Sequence, residues 1–193
     1  MTTSLPLSPE QRAKGRRTLL LLAIVAIAPV VTSYSAYYFF PREQRTNYGE
    51  LLTTALAPPL AGTHADGRPF ALSQLRGKWV LFVSSPGNCD APCQRELFAT
   101  RQVRTIQGRE MARVQRVWLV TDDTSPDAAL LSQHPDLLVA HVPRDALAQL
   151  PGGVDRIYLV DPLGNLVLAF PGDPDIKRMA KDVERVLRAS RIG

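Results

Sequence analysis

The segment Trp79-Val80-Leu81-Phe82-Val83 is apolar at every position. A strand with one face in water alternates apolar and polar residues. An unbroken apolar run therefore belongs to a strand covered on both faces, which happens where a sheet lies between two other layers. Val114 to Val120 reads as a second buried strand, and Ala91 to about Gln107 between them reads as helix, with Leu97 and Val103 facing inward. Two covered strands joined through a helix are parallel neighbours in an α/β sheet.

The remaining elements fit that frame. Asp66-Gly67 signals a turn, and Leu72 to Gly77 a short helical turn closed by glycine. Ser125-Pro126-Asp127 predicts a helix start with serine as cap, ending at His134-Pro135. Leu137 to Val142 predicts a third, short strand, and Arg144 to Leu150 another helical turn or two. Ile157–Val160 and Leu166–Phe170, linked through Asp161-Pro162-Leu163-Gly164-Asn165, predict an antiparallel hairpin. A last helix opens at Asp173-Pro174-Asp175, puts Ile176, Val183, Val186 and Leu187 on one stripe, and carries Arg185, Arg188 and Arg191 near its end. Strand, helix, strand, helix, hairpin and closing helix is the order of a thioredoxin-like α/β domain of three layers, its sheet finished by the antiparallel edge.

The only two cysteines, Cys89 and Cys93, stand four apart, after the first buried strand and at the start of the first helix. A helix N-terminus favours thiolate over thiol. The spacing predicts both side chains on one helix face, with Asp90 or Cys89 as cap and Pro92 in the first turn, where its missing N–H does no harm. Such a pair can bind Cu(I), exchange with a disulfide, or simply clamp its loop. A closed loop this short removes little entropy from the unfolded chain, which weighs against a mere clamp.

Residues 18–40 carry no charge and span roughly 34 Å as a helix, enough for a bilayer core. Pro29 lies inside, tolerated at the cost of a kink. Tyr34, Tyr37, Tyr38, Phe39 and Phe40 crowd the far end like an interfacial belt. Arg12, Lys14, Arg16 and Arg17 before the segment outnumber Arg42 and Arg45 after it, which predicts a cytoplasmic tail (1–17), a membrane span (18–40), a linker (41–59) and an exported domain (60–193). The rival reading is a signal peptide cut near Ser33–Ala36. Either way the cysteines face an oxidising compartment, the periplasm for a single-pass inner-membrane protein. Glu50 to Ala57, within the linker, reads as a short helix stopped by Pro58-Pro59.

The net charge of +5 falls to +2 once the four bases and one acid of the tail are set aside. Both signs are interspersed in the remainder, which excludes a nucleic-acid binder. There is no glycine-rich phosphate loop, no His-Glu-x-x-His and no second cysteine pair for structural zinc. Asp122-Asp123 reads as a solvated strand end capping the next helix rather than an acid–base pair, and Met111 and Met179 as core filler.

The stretch Asp66 to Phe82 leading into Cys89-x-x-x-Cys93, followed by Glu96-Leu97, resembles the Sco family of membrane-anchored, copper-handling thioredoxin-fold proteins that assist cytochrome c oxidase assembly. Val117 to Asp123 resembles that family's strand ending in an acidic loop, and Tyr158 to Gly164 its hairpin. The resemblance implies copper as cargo, Cys89 and Cys93 as its ligands, and an oxidase subunit or another assembly factor as partner. One departure matters. The family places a copper-binding His just before the hairpin strand, where this chain reads Leu150-Pro151-Gly152-Gly153-Val154-Asp155-Arg156-Ile157. Of His64, His134 and His141, the last is the best substitute, because it lies in the third strand.

Three readings stay open on these grounds. The cysteines deliver copper to, or reduce the cysteines of, the oxidase copper site; or the protein is a general extracytoplasmic thiol–disulfide oxidoreductase; or it is a non-catalytic assembly scaffold.

Overall fold

The computed structural model describes residues 9–39 and 47–190 in two units, Met1–Arg45 and Thr46–Gly193. Phe40, Arg42, Arg45 and Arg191, which entered the readings of belt, orientation and helix end, lie outside the described residues.

The first unit is one helix, α1 (Pro9–Phe39), within which Gly15–Ser35 has a mean hydropathy of 2.0 and is long and apolar enough to cross a membrane. Pro29 sits inside it, and the Thr32 hydroxyl one turn later donates to the Ala28 carbonyl at 2.5 Å.

The second unit is built on a single sheet of eight strands: β1 (Glu50–Leu56), β2 (Ala61–His64), β3 (Pro69–Ala71), β4 (Trp79–Ser85), β5 (Val114–Val120), β6 (Leu137–His141), β7 (Arg156–Val160) and β8 (Asn165–Pro171), in the order β1-β8-β7-β4-β5-β6-β2-β3. β4, β5 and β6 are parallel, as two covered runs joined through a helix require, and the other pairings are antiparallel. The helices are α2 (Ala91–Ile106), α3 (Ala128–Ser132) and α4 (Ile176–Ala189).

The strand interiors divide the core in two. On one face Leu81, Val83 and Trp118 pack with Leu97 and Val103 of α2 and Met179, Val183 and Leu187 of α4. On the other, Val80, Phe82, Val117 and Tyr158 meet Leu60, Phe70, Leu72 and Leu147. That second cover is supplied by loops and 3-10 turns (Leu72–Leu75 and Arg144–Gln149). The layered thioredoxin-like architecture is thus present.

Five local expectations are corrected. Glu50–Leu56 is a strand, not a helix. Its backbone pairs with β8, and the buried Asp182 carboxylate of α4 accepts the Tyr48 and Gly49 amides at 2.6 and 2.9 Å. Tertiary partners more than a hundred residues away override the helical propensity of Leu and Ala. For the same reason the β7–β8 hairpin is not the sheet's edge: β1 lies beyond it. The cap of α3 is Asp127, whose carboxylate accepts from the Ala129 amide at 2.9 Å, rather than Ser125. Asp122 caps no helix either; it holds the cysteine loop, as described below. Met179 is core filler as expected, whereas Met111 is exposed.

Candidate functional site

The site grows from the C-terminal end of β4, where chain turns from the middle of the sheet into α2. Asp90 is the N-cap of α2, accepting the Cys93 amide at 3.2 Å, and Pro92 falls in the first turn. Cys89 therefore precedes the helix. It has φ +38, the left-handed region that non-glycine residues seldom occupy, and is held there by its amide on the Pro86 carbonyl (3.1 Å) and its carbonyl under the Gln94 side chain (3.1 Å). The expectation of two cysteines on one helix face is corrected accordingly: only Cys93 is helical. The turn still brings the sulfurs together, and Cys89 and Cys93 form a disulfide with their Cα atoms 5.2 Å apart.

The loop before the pair is fastened to the end of β5. Asp122 accepts the Gly87 amide at 2.8 Å and the Thr124 hydroxyl at 3.0 Å, and the Gly87 bond is the main reason its carboxyl stays below the usual range. A Cβ on Gly87 would stand 1.9 Å from the Thr124 carbonyl oxygen, so the two backbones touch.

Both cysteines are buried, but Cys93 lines a groove of about 400 Å³ whose walls include Ser85, Pro92, Glu96, Val154 and Asp155. The far wall is fixed by Tyr158, whose hydroxyl donates to the Pro151 and Gly153 carbonyls at 2.8 and 2.6 Å, and by the Ser84 hydroxyl on the Val154 carbonyl at 3.1 Å. Sequence reasoning missed Glu96 as a site residue. It lies one turn after Cys93, almost fully buried, and its carboxyl is pushed up to about 7 by burial, then by the Asp155 and Asp90 charges, with Arg95 opposing. Gly172 makes room for it, since a Cβ there would lie 2.6 Å from Glu96 Oε1.

The folded chain holds the Glu96 proton between about pH 4.5 and 7, where the unfolded chain has released it. Stability therefore falls as pH rises through that window. Glu96→Gln is expected to gain about 2 kcal/mol more stability at pH 8 than at pH 5, as denaturant midpoints at the two pH values will read. An equal effect at both would refute the burial argument.

His141, the substitute ligand, does not line the Cys93 groove. It ends β6, and its Nδ1 lies 3.0 Å from the Asp122 carbonyl oxygen. His64 packs edge-to-face on Phe70 with ring centroids 5.4 Å apart. His134 is buried beside Arg116, its Nδ1 3.3 Å from the guanidinium; burial, and then that charge, push it down to about 4. Among the described residues, no three His, Cys, Asp or Glu side chains are grouped to hold a metal ion. Where the Sco resemblance would place a copper-binding His, the groove has Asp155, a hard oxygen donor ill suited to Cu(I). The soft donors at this site are two sulfurs joined to each other.

Comparison with known folds places this geometry. Yeast Sco1 with copper bound is 20% identical, covering 72% of this chain and 96% of its own, with a TM-score of 0.62. A thiol:disulfide interchange protein from Bacteroides is also 20% identical, over 73% of this chain and 93% of its own, with a TM-score of 0.55. BsSco, a Sco-family cytochrome c oxidase assembly protein with a disulfide switch, is 14% identical over 74% of this chain and 98% of its own, at 0.59. These likenesses establish the fold. No curated protein sequence matches. Residues 79–190 match the family model for a transmembrane-like, thioredoxin-like, C-terminal domain, more than half of the chain, and to that family this chain belongs.

Proposed function

We propose that this protein is a membrane-tethered dithiol–disulfide exchanger of the Sco type that serves cytochrome c oxidase assembly, with Cys89 and Cys93 as its reacting pair. The observation that carries the reading is the Cys89–Cys93 disulfide itself, walled on one side by a groove and, among the described residues, in no group of three His, Cys, Asp or Glu side chains that could hold a metal ion. Structural likeness to a thiol:disulfide interchange protein and to a Sco protein with a disulfide switch supports it. In the reduced state one cysteine thiolate attacks a substrate disulfide and forms a mixed disulfide, releasing one substrate thiolate. The second cysteine then attacks the sulfur of the first, so that the Cys89–Cys93 bond forms, the mixed disulfide breaks and the substrate leaves as a dithiol. Two electrons pass to the substrate, and an external thiol reductant must return them. Glu96, in the same groove, is suited to accept and return protons near neutral pH. The substrate on this reading is a cysteine pair of an oxidase subunit or another assembly factor. The domain faces the periplasm, from an inner membrane crossed once by α1.

Copper enters as cargo, and the residues present fit a resident three-ligand site poorly. The deciding experiment pairs an exchange assay on a two-cysteine peptide disulfide with metal analysis of the reduced protein. Turnover is expected, falling at least a hundredfold in Cys89→Ser and in Cys93→Ser, with no stoichiometric copper retained. One copper held per chain and lost in Cys89→Ser, without peptide turnover, would establish a carrier instead. Peptide turnover no better than that of free dithiol would end the exchange reading.

A further inference from the structure

Ser85 is the last residue of β4, and its hydroxyl donates to the Cys93 sulfur at 3.0 Å. The same oxygen accepts from the indole Nε1 of Trp118, at 2.9 Å. Trp118 is fully buried in β5, and the parallel register sets it beside Val83, on the face that α2 covers. An indole N–H can only donate. It therefore occupies a lone pair of Ser85 Oγ and leaves the hydroxyl proton free to point at the sulfur. The result is a one-way chain of donors, Trp118 to Ser85 to Cys93, fixed by core packing.

We propose that Ser85, oriented by Trp118, is a positioning residue that stabilises the Cys93 thiolate of the reduced pair and so sets how readily the Cys89–Cys93 bond yields to an incoming thiol. The inference rests on the exchange reading given above. A disulfide sulfur is a feeble acceptor, whereas a thiolate is charged, and a hydrogen bond to a charged acceptor is roughly twice as strong as a neutral one. The donor chain thus favours the reduced state over the oxidised one. When two external thiols reduce the bond, they leave as one disulfide. The two electrons and up to two protons remain on Cys89 and Cys93, and negative charge on Cys93 meets a proton already aimed at it. The charged groups around the groove are of both signs, Asp90, Glu96, Asp155 and Asp173 against Arg95 and Arg144. They supply no positive field for the thiolate. Its stabilisation comes from the Ser85 hydroxyl and from the N-terminus of α2.

The test uses the full chain in detergent and reads two quantities. The first is the pH profile of Cys93 alkylation in a Cys89→Ser background. The second is the dithiol fraction of the otherwise unaltered protein in glutathione buffers. Ser85→Ala is expected to move the alkylation profile up by about one pH unit and to lower the dithiol-to-disulfide ratio about tenfold. Ser85→Thr, which keeps the hydroxyl, restores both. Trp118→Phe keeps the hydroxyl but frees it to turn, and moves both readouts in the same direction by less. A purely structural serine would change stability and leave the alkylation profile in place. Coincident profiles for Ser85→Ala and the parent would overturn the relay. If the parent pair cannot be cycled by glutathione, the exchange reading fails, while the alkylation profile still reads the donor chain on its own.

Discussion

Arg116→Ala is expected to destabilise the folded domain by about 4 kcal/mol. The side chain is wholly buried in β5, and its guanidinium donates to the Leu97 carbonyl at 2.7 Å, the Thr100 hydroxyl at 3.2 Å and Asp136 at 3.1 Å. Since arginine has no acceptor, the His134 Nδ1 at 3.3 Å must be the unprotonated nitrogen, in keeping with that imidazole's low affinity for a proton. Truncation opens a cavity beside α2 and takes the guanidinium from four acceptors, the Leu97 carbonyl, the Thr100 hydroxyl, Asp136 and His134 Nδ1. Arg116→Met, which refills the space without a charge to desolvate, is expected to cost less than half as much. Urea unfolding of the two variants provides the comparison; an alanine variant within 1 kcal/mol of the parent would remove the argument.

The second large effect is expected at Gly87. Gly87→Ala puts a methyl group where the Thr124 carbonyl oxygen already is, 1.9 Å away, and its two nearest neighbours are backbone atoms. The loop must lift, breaking the Gly87–Asp122 bond and displacing Cys89 two residues later. A loss of about 2 kcal/mol is expected from the overpacking, with at least a tenfold fall in exchange rate from the misplaced pair. Unfolding and turnover measured on the same sample separate the two. Full turnover in a destabilised variant would show that the loop does not position the sulfurs.

What could be read from the chain in advance divides by distance along it. Trp79–Val83 and Val114–Val120 announced central parallel strands because burial on both faces leaves a mark in consecutive residues. Cys89, Asp90, Pro92 and Cys93 announced a helix start for the same local reason, although not that Cys89 would take a left-handed conformation outside the helix. Glu50–Leu56 misled because Leu51, Leu52, Ala55 and Leu56 suit either element, and the choice was made by β8 and by the Asp182 carboxylate. The Trp118–Ser85–Cys93 chain left no trace of its own. Its members are ordinary residues, and the pairing of β4 with β5 alone brings Trp118 to Ser85. Glu96 was visible only as part of a motif; its displaced titration is created first by the surrounding burial and then by Asp155 and Asp90.

The docking of Glu50–Leu56 as the outermost strand bears on how this domain can be handled apart from the N-terminal apolar helix. A truncated chain starting at residue 60 would forfeit Leu52 and strip β8 along one side, from Asn165 to Ala169. Bare amides and carbonyls there form an adhesive margin, ready to recruit a strand from any neighbouring molecule. Soluble versions that begin at Thr46 keep that margin closed.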